Sequence, residues 1–185
     1  MTIDEWRSTS IDGVLQRNVA AIQDERGSFS ELWRASITNR LAERMVQANL
    51  SRSRRGVLRG MHFHLHQVDL WTLLEGRVAA ATTDLRGVFA GGAPSARSQV
   101  IEMAAGDSLY IPRRVAHGFW ALEDSALLYL VSNEYEGTDE HGFAWDDPAA
   151  AISWPGKDPV LSNRDRLNPS LTEAVANLGQ QMSPK

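Results

Sequence analysis

The sequence predicts an all-β protein, an antiparallel sandwich or barrel with a few short helices. Three observations carry that prediction. Short apolar stretches recur through the middle of the chain, turn residues separate them at even spacing, and helical periodicity is scarce. Leu70–Leu74 runs through Glu75-Gly76 into Arg77–Thr83, which reads as a hairpin with glycine at its turn. Gln99–Met103 reaches Ala105-Gly106-Asp107 and continues as Ser108–Pro112. His117–Leu122 turns at Glu123-Asp124-Ser125 into Ala126–Val131.

Helical signals are confined to two places. A short helix is expected over Arg40–Met45. A second begins at Ser170, where Ser170-Leu171-Thr172-Glu173 forms a capping box before Ala174–Leu178. The stretch Gly87–Ser98, with Gly91, Gly92 and Pro94, reads as a flexible loop.

The chain has 185 residues, 43% hydrophobic and 23% charged, which suits a single domain over 1–185 with a sizeable core. A formal net charge of −4 offers no basic face to offset phosphates, so a general nucleic-acid binder is not expected. No apolar run approaches the ~20 residues needed to cross a bilayer. The acidic opening Met1–Trp6 lacks the layout of a signal peptide, and a cytoplasmic protein is expected. The absence of cysteine excludes disulfides and thiolate catalysis.

The densest chemistry lies in Arg59-Gly60-Met61-His62-Phe63-His64-Leu65-His66. Alternate residues of a strand share a face, so His62, His64 and His66 are expected to line one concave surface just after Arg59. A lone histidine is usually structural. Three on one strand face after an arginine point to a binding surface, with His66 expected at its rim. The six tryptophans are expected in core packing, Trp71 and Trp120 being the two that fall on site strands. Arg52, Arg54 and Arg55 read as a solvated edge.

Arg59-x-x-His62-x-His64 followed by Asp69, and Gly106-Asp107 followed by Pro112 and His117-Gly118-Phe119, have the spacing of the two cupin motifs. That resemblance implies a double-stranded β-helix, the cupin jelly roll, with a site in its mouth. A closer resemblance is to the dTDP-4-dehydrorhamnose 3,5-epimerase family. It is carried by Asp24–Glu31, Gly56–Phe63, Thr83–Arg86, Ile111-Pro112, Ala116–Phe119, Tyr129, Tyr135, Trp145–Pro148 and Leu161–Asp165, in the family's order.

The resemblance implies epimerisation at C3, C5 or both of a dTDP-linked 4-keto-6-deoxy sugar. A proton is removed beside the ketone, and the enolate is reprotonated on its opposite face. His62 matches the base, Asp165 the carboxylate that orients it, and Tyr129 the general acid. Arg26, Glu31, Gln47, Asn49, Arg59, His117, Glu140 and Arg164 match positions that bind the nucleotide sugar, and Tyr135 the tyrosine that stacks on thymine. Arginine forks suit a diphosphate. The family's homodimer, with its N-terminal segment packed on the partner, is implied here too. So is a role in deoxysugar biosynthesis, with no cofactor.

Three positions depart from the family pattern. Asp69 falls where the family carries a lysine that stabilises the enolate. Opposite unit charges ~4 Å apart at an effective dielectric of ~20 attract by about 4 kcal/mol, so reversing the sign costs up to about 8 kcal/mol. That corresponds to roughly a millionfold in rate. His64 replaces a residue that is usually glutamine, and Arg113-Arg114 adds positive charge expected near the mouth. Two rival readings follow. One is a metal-dependent cupin holding a divalent transition metal with His62, His64, Asp69 and His117. The other is a nucleotide-sugar binder without turnover.

Overall fold

A computed structural model describes residues 5–39, 41, 43–89 and 97–182. Thirteen strands form two main sheets and a small ribbon among the described residues. They are β1 (Arg7–Ser8), β2 (Leu15–Asn18), β3 (Ile22–Asp24), β4 (Gly27–Phe29), β5 (Gln47–Ser53), β6 (Leu58–Phe63) and β7 (Asp69–Glu75). Then come β8 (Arg77–Asp84), β9 (Arg97–Ala104), β10 (Asp107–Ile111), β11 (Val115–Ala121), β12 (Ser125–Val131) and β13 (His141–Gly142). One sheet has the order β1-β2-β10-β7-β12-β5 and the other β13-β6-β11-β8-β9, while β3 and β4 pair only with each other.

From β5 to β13 the chain changes sheet at every connection except the one between β8 and β9. This is jelly-roll topology. It corrects the hairpin expected around Gly76: β7 pairs with β10 and β12, and β8 with β9 and β11. Glycine marks a sharp reversal but does not choose which strands pair. Gly76 has φ +78, and a Cβ there would lie 2.2 Å from the Asp124 carbonyl oxygen. Its turn packs directly against the corner where β11 crosses to β12.

Inward positions recur with period two, as a two-sheet core requires. Trp71 and Leu73 of β7, Val78 and Ala80 of β8, Leu109 and Ile111 of β10, Val115 and Phe119 of β11 and Leu127 of β12 fill the barrel. Burying side chains of this size stabilises by about 1.5–3 kcal/mol each. The other face of β6 and β8 presents Met61, Phe63 and Ala81 to Phe143, Ala150, Leu171, Ala174 and Leu178. Helix α4 (Leu171–Met182) thereby closes one side of the barrel.

The expected capping box is present at its start. Ser170 Oγ donates to Glu173 Oε2 (2.7 Å), and the Glu173 amide donates to Ser170 Oγ (3.2 Å). Helix α1 spans Ala35–Asn39 rather than 40–45, where residues 40 and 42 lie outside the described residues. The amides of Leu41 and Glu43 both donate to the Thr38 carbonyl and end the helix. Met45 is then buried with Leu70 and Tyr110, outside any helix and just before β5. The expected loop at 87–98 holds most of helix α2 (Arg86–Phe89) and the start of β9, and its residues 90–96 lie outside the described residues. A last short helix, α3, spans Asn163–Arg166.

Candidate active site

Strand β6 delivers the central residues, through an irregularity. His62 pairs with His117 of β11, and Arg59 pairs with Phe119. Three steps on β6 are thus matched by two on β11, so one residue is extra. Period two alone would send Arg59 and His62 to opposite faces; a bulge reverses the parity. Gly60 makes it possible, with φ +134 and backbone packed so closely that a Cβ would meet Gly118 Cα at 2.7 Å. Both Arg59 and His62 therefore line one cavity of about 270 Å³ in the barrel mouth.

His62 is held by a residue far away in sequence. Its Nε2 lies 2.6 Å from Asp165 Oδ1. The segment before α3 is tied to the start of β6, since the Leu58 amide donates to the Val160 carbonyl and the Val160 amide to the Gly56 carbonyl. Ser162 caps α3 by accepting from the Asp165 amide at 3.0 Å. Asp165 is only 4% exposed. Burial alone would raise its pKa, but the His62 bond and charge, the Ser162 bond and Arg164 outweigh it and hold the carboxyl below its ordinary range. An ionised Asp165 fixes the imidazole orientation and favours the imidazolium that proton uptake creates.

Tyr129 lies on β12, in the opposite sheet, and lines the same cavity. Burial raises its pKa, and the charges of Asp69 and Glu140 add to this against Arg59 and a bond with Ser51. Its phenol is protonated at neutral pH and can donate. His62 and Tyr129 thus stand on the two walls of one cavity.

The cavity floor holds a buried polar group of three. Asp69 is 3% exposed and accepts from Gln67 Nε2 (2.9 Å) and Trp71 Nε1 (3.2 Å). His64 Nε2 lies 3.9 Å from Asp69 Oδ1, and His117 Nε2 lies 3.7 Å from Asp69 Oδ2. Trp71 stands edge-on to His117, with ring centroids 5.3 Å apart. Burial pushes the His117 pKa down to about 4, against the pull of Asp69. His64, Asp69 and His117 could hold a metal ion, their ligand atoms all lying within 4.8 Å of one another. His62 stands outside that group, which corrects the four-ligand set expected from the cupin spacing.

Of the positions expected to bind substrate, Arg59, His117, Glu140 and Arg164 line the cavity. Arg164 NH1 donates to Glu140 Oε2 at 2.8 Å. Tyr135 is exposed in an adjoining cavity of about 510 Å³, which shares His64, Gln67 and Glu140 with the first. Gln47 and Asn49 lie on edge strand β5, bonded to each other at 2.9 Å, and do not line either cavity. Arg26 and Glu31 belong to the exposed ribbon region, paired with Asp24 and Arg34, and are also outside both cavities.

Strand β6 ends at Phe63, yet His64 still lines the cavity, and His66 sits exposed on a bend at the rim of the adjoining one, as expected. Arg113 and Arg114, expected near the mouth, line neither cavity, and Arg114 lies over the Phe89 ring. Arg113 pairs with Glu43 and donates to the His66 carbonyl. Trp120 faces outward onto Trp145 and Trp154, whereas Trp71 lines the cavity. Sequence reasoning missed Gln67, which holds Asp69, and Asp139. The Asp139 carboxylate accepts the amides of Leu65, His66 and Gln67, and its carbonyl lies 2.6 Å from His64 Nδ1. No local pattern marks either residue.

A jelly-roll barrel whose mouth sets a His–Asp pair on one wall and a protonated tyrosine on the other carries the groups that acid–base chemistry on a ligand requires. The comparisons with known proteins specify the chemistry. Residues 8–173 match the family described as dTDP-4-dehydrorhamnose 3,5-epimerase. The chain is 37% identical over 177 residues to the dTDP-4-dehydrorhamnose 3,5-epimerase of Streptomyces griseus, covering 90% of this chain and 86% of that one. It is 35% identical over 181 residues to the dTDP-4-dehydrorhamnose 3-epimerase of Streptomyces niveus, covering 91% and 84%. The crystal structure of the Legionella pneumophila dTDP-6-deoxy-D-glucose-3,5-epimerase, in complex with dTDP-4-keto-L-rhamnose, superposes with a TM-score of 0.83 at 30% identity, covering 94% and 96%. This chain belongs to the dTDP-4-dehydrorhamnose 3,5-epimerase family and is an isomerase of that type.

Proposed function

We propose that the protein epimerises a dTDP-linked 4-keto-6-deoxyhexose at C3, C5 or both. The observation that carries this reading is the placement of His62 with Asp165 on one sheet and Tyr129 on the other, across one cavity. His62 takes the proton from the carbon beside the ketone. Its Nε2 is engaged by Asp165, which leaves Nδ1 as the basic nitrogen. Tyr129 returns a proton from the opposite face, which inverts the centre. Arg59 and Arg164 offer forked donors for the diphosphate, and the adjoining cavity around Tyr135 offers room for the base.

Arg26 and Glu31 line neither cavity of their own chain, so a substrate-binding role for them calls for a second copy. We therefore propose a homodimer in which the β3–β4 ribbon packs on the partner. Ile22 and Phe29 on that ribbon are 61% and 66% exposed, an apolar surface that a dimer would cover. Among the described residues no helix is long and apolar enough to cross a membrane, and a cytoplasmic role in deoxysugar synthesis suits a nucleotide-sugar substrate.

Proton NMR of dTDP-4-keto-6-deoxyglucose with the protein in heavy water tests the reading. Loss of the C3 or C5 proton signal is expected, and identifies the carbon. A bound nucleotide sugar that keeps both protons would overturn it.

A further inference from the structure

We infer that His64, Asp69 and His117 form a binding site for one divalent transition-metal ion, with His62 outside its ligand set. The argument begins with the hydrogens on the two rings. His64 Nδ1 lies 2.6 Å from the Asp139 carbonyl oxygen, and His117 Nδ1 lies 3.2 Å from the Val115 carbonyl oxygen. A carbonyl only accepts, so Nδ1 carries the hydrogen in both rings. Nε2 is then the atom of each ring that is left to meet a ligand.

Both Nε2 atoms face Asp69, at 3.9 Å and 3.7 Å, too far for a hydrogen bond. Asp69 receives only neutral donors, Gln67 and Trp71, within bonding distance. The three ligand atoms lie within 4.8 Å of one another, nearly out of reach of solvent, and converge on a space that one cation would fill. Imidazole nitrogens held by backbone carbonyls through their other nitrogen are the usual supporting arrangement for metal ligands.

The distances suit a first-row ion. Bonds of ~2.1 Å in tetrahedral geometry place ligand atoms ~3.4 Å apart, so each side chain need shift by less than about an ångström. Two imidazoles and one carboxylate are a zinc- or iron-type donor set, and three protein ligands leave a position open toward the cavity. His62 is spared by its bond to Asp165 and keeps its role as base. Asp69 stands where the family resemblance implies a lysine. A bound cation would restore positive charge at the enolate oxygen, acting as a Lewis acid, and this role rests on the epimerase reading.

The site is tested on the intact protein, stripped with chelator and titrated with CoCl2 while visible ligand-field absorption and metal content are followed. One Co2+ per chain is expected. His64→Ala and Asp69→Asn should each weaken binding at least about a hundredfold, and His62→Ala should bind like the parent. Near-ultraviolet circular dichroism confirms that each variant is folded, and either ligand variant suffices. A folded parent without a saturable Co2+ signal, or ligand variants that bind unchanged, would overturn the site. Loss of binding in His62→Ala would overturn the three-residue assignment.

The role is tested separately by deuterium uptake into the sugar with stripped and Co2+-loaded protein. At least tenfold faster exchange is expected when loaded. Equal exchange overturns the Lewis-acid role and leaves the epimerase reading. Co2+ binding with no exchange in either state overturns the epimerase reading and leaves the site.

Discussion

Asp165 Oδ1 lies 2.6 Å from His62 Nε2, joining residues 103 positions apart through a carboxylate that is almost wholly buried. An imidazole anchored at one nitrogen has one tautomer and one orientation to offer. Replacing Asp165 by Asn keeps the shape but removes the charge that favours the imidazolium. Asp165→Asn should lower solvent exchange at the sugar by about 10²–10⁴-fold. Nucleotide-sugar affinity, read by calorimetry, should stay within a fewfold.

The same carboxylate shapes the acid limb of stability. Its pKa is held below the ordinary range by His62, Ser162 and Arg164, which outweigh burial. A carboxyl whose folded pKa is depressed contributes stability in full above its unfolded value of about 3.9 and loses it as pH falls through the folded value. Urea midpoints measured from pH 6 down to pH 2 should fall less steeply below pH 4 for Asp165→Asn than for the parent. Parallel curves would show that Asp165 is not the linked group.

Tyr129 lines the same cavity as His62 from the opposite sheet, and burial raises its pKa above the ordinary phenol value. If it returns the proton, its loss separates the two half-reactions. Tyr129→Phe should retain much of the deuterium uptake but form inverted product about 10²-fold more slowly. The ratio of exchange to inversion, read from one NMR time course, should rise. A parallel fall in both would assign the acid elsewhere.

Gly60 permits the bulge that turns Arg59 and His62 into one cavity. A methyl group there would collide with Gly118 Cα at a φ that side chains rarely adopt. Gly60→Ala should destabilise by about 2–4 kcal/mol, seen as a drop in the urea midpoint. Exchange activity should fall further than stability explains, because the parity of β6 is disturbed.

Much of this was readable along the chain. Alternating apolar residues and turn signals are local properties, so the strands from Leu70 to Val131 and the capped helix at Ser170 could be placed within a few residues. The expectation for 40–45 failed because Met45 is buried under Leu70 and Tyr110, contacts that no local window contains. The hairpin at Gly76 failed for a related reason. A turn residue reports a reversal, while pairing partners are chosen by which faces two sheets bury together.

By itself the sequence determined the strand content, the family, and the residue types available for chemistry: His62, Asp165, Tyr129, and the departure at Asp69. Motif order is enough for that. Tertiary structure decided which of them act together. It placed Arg59, His62 and Tyr129 in one cavity and left Arg26, Glu31, Gln47 and Asn49 outside it. It also divided the histidines, binding His62 to Asp165 and turning His64 and His117 toward Asp69. The physical reason is that a side chain's role depends on what its polar atoms meet. Those partners arrive from β7, β11, α3 and the loop at Asp139, which only the folded barrel brings within bonding distance.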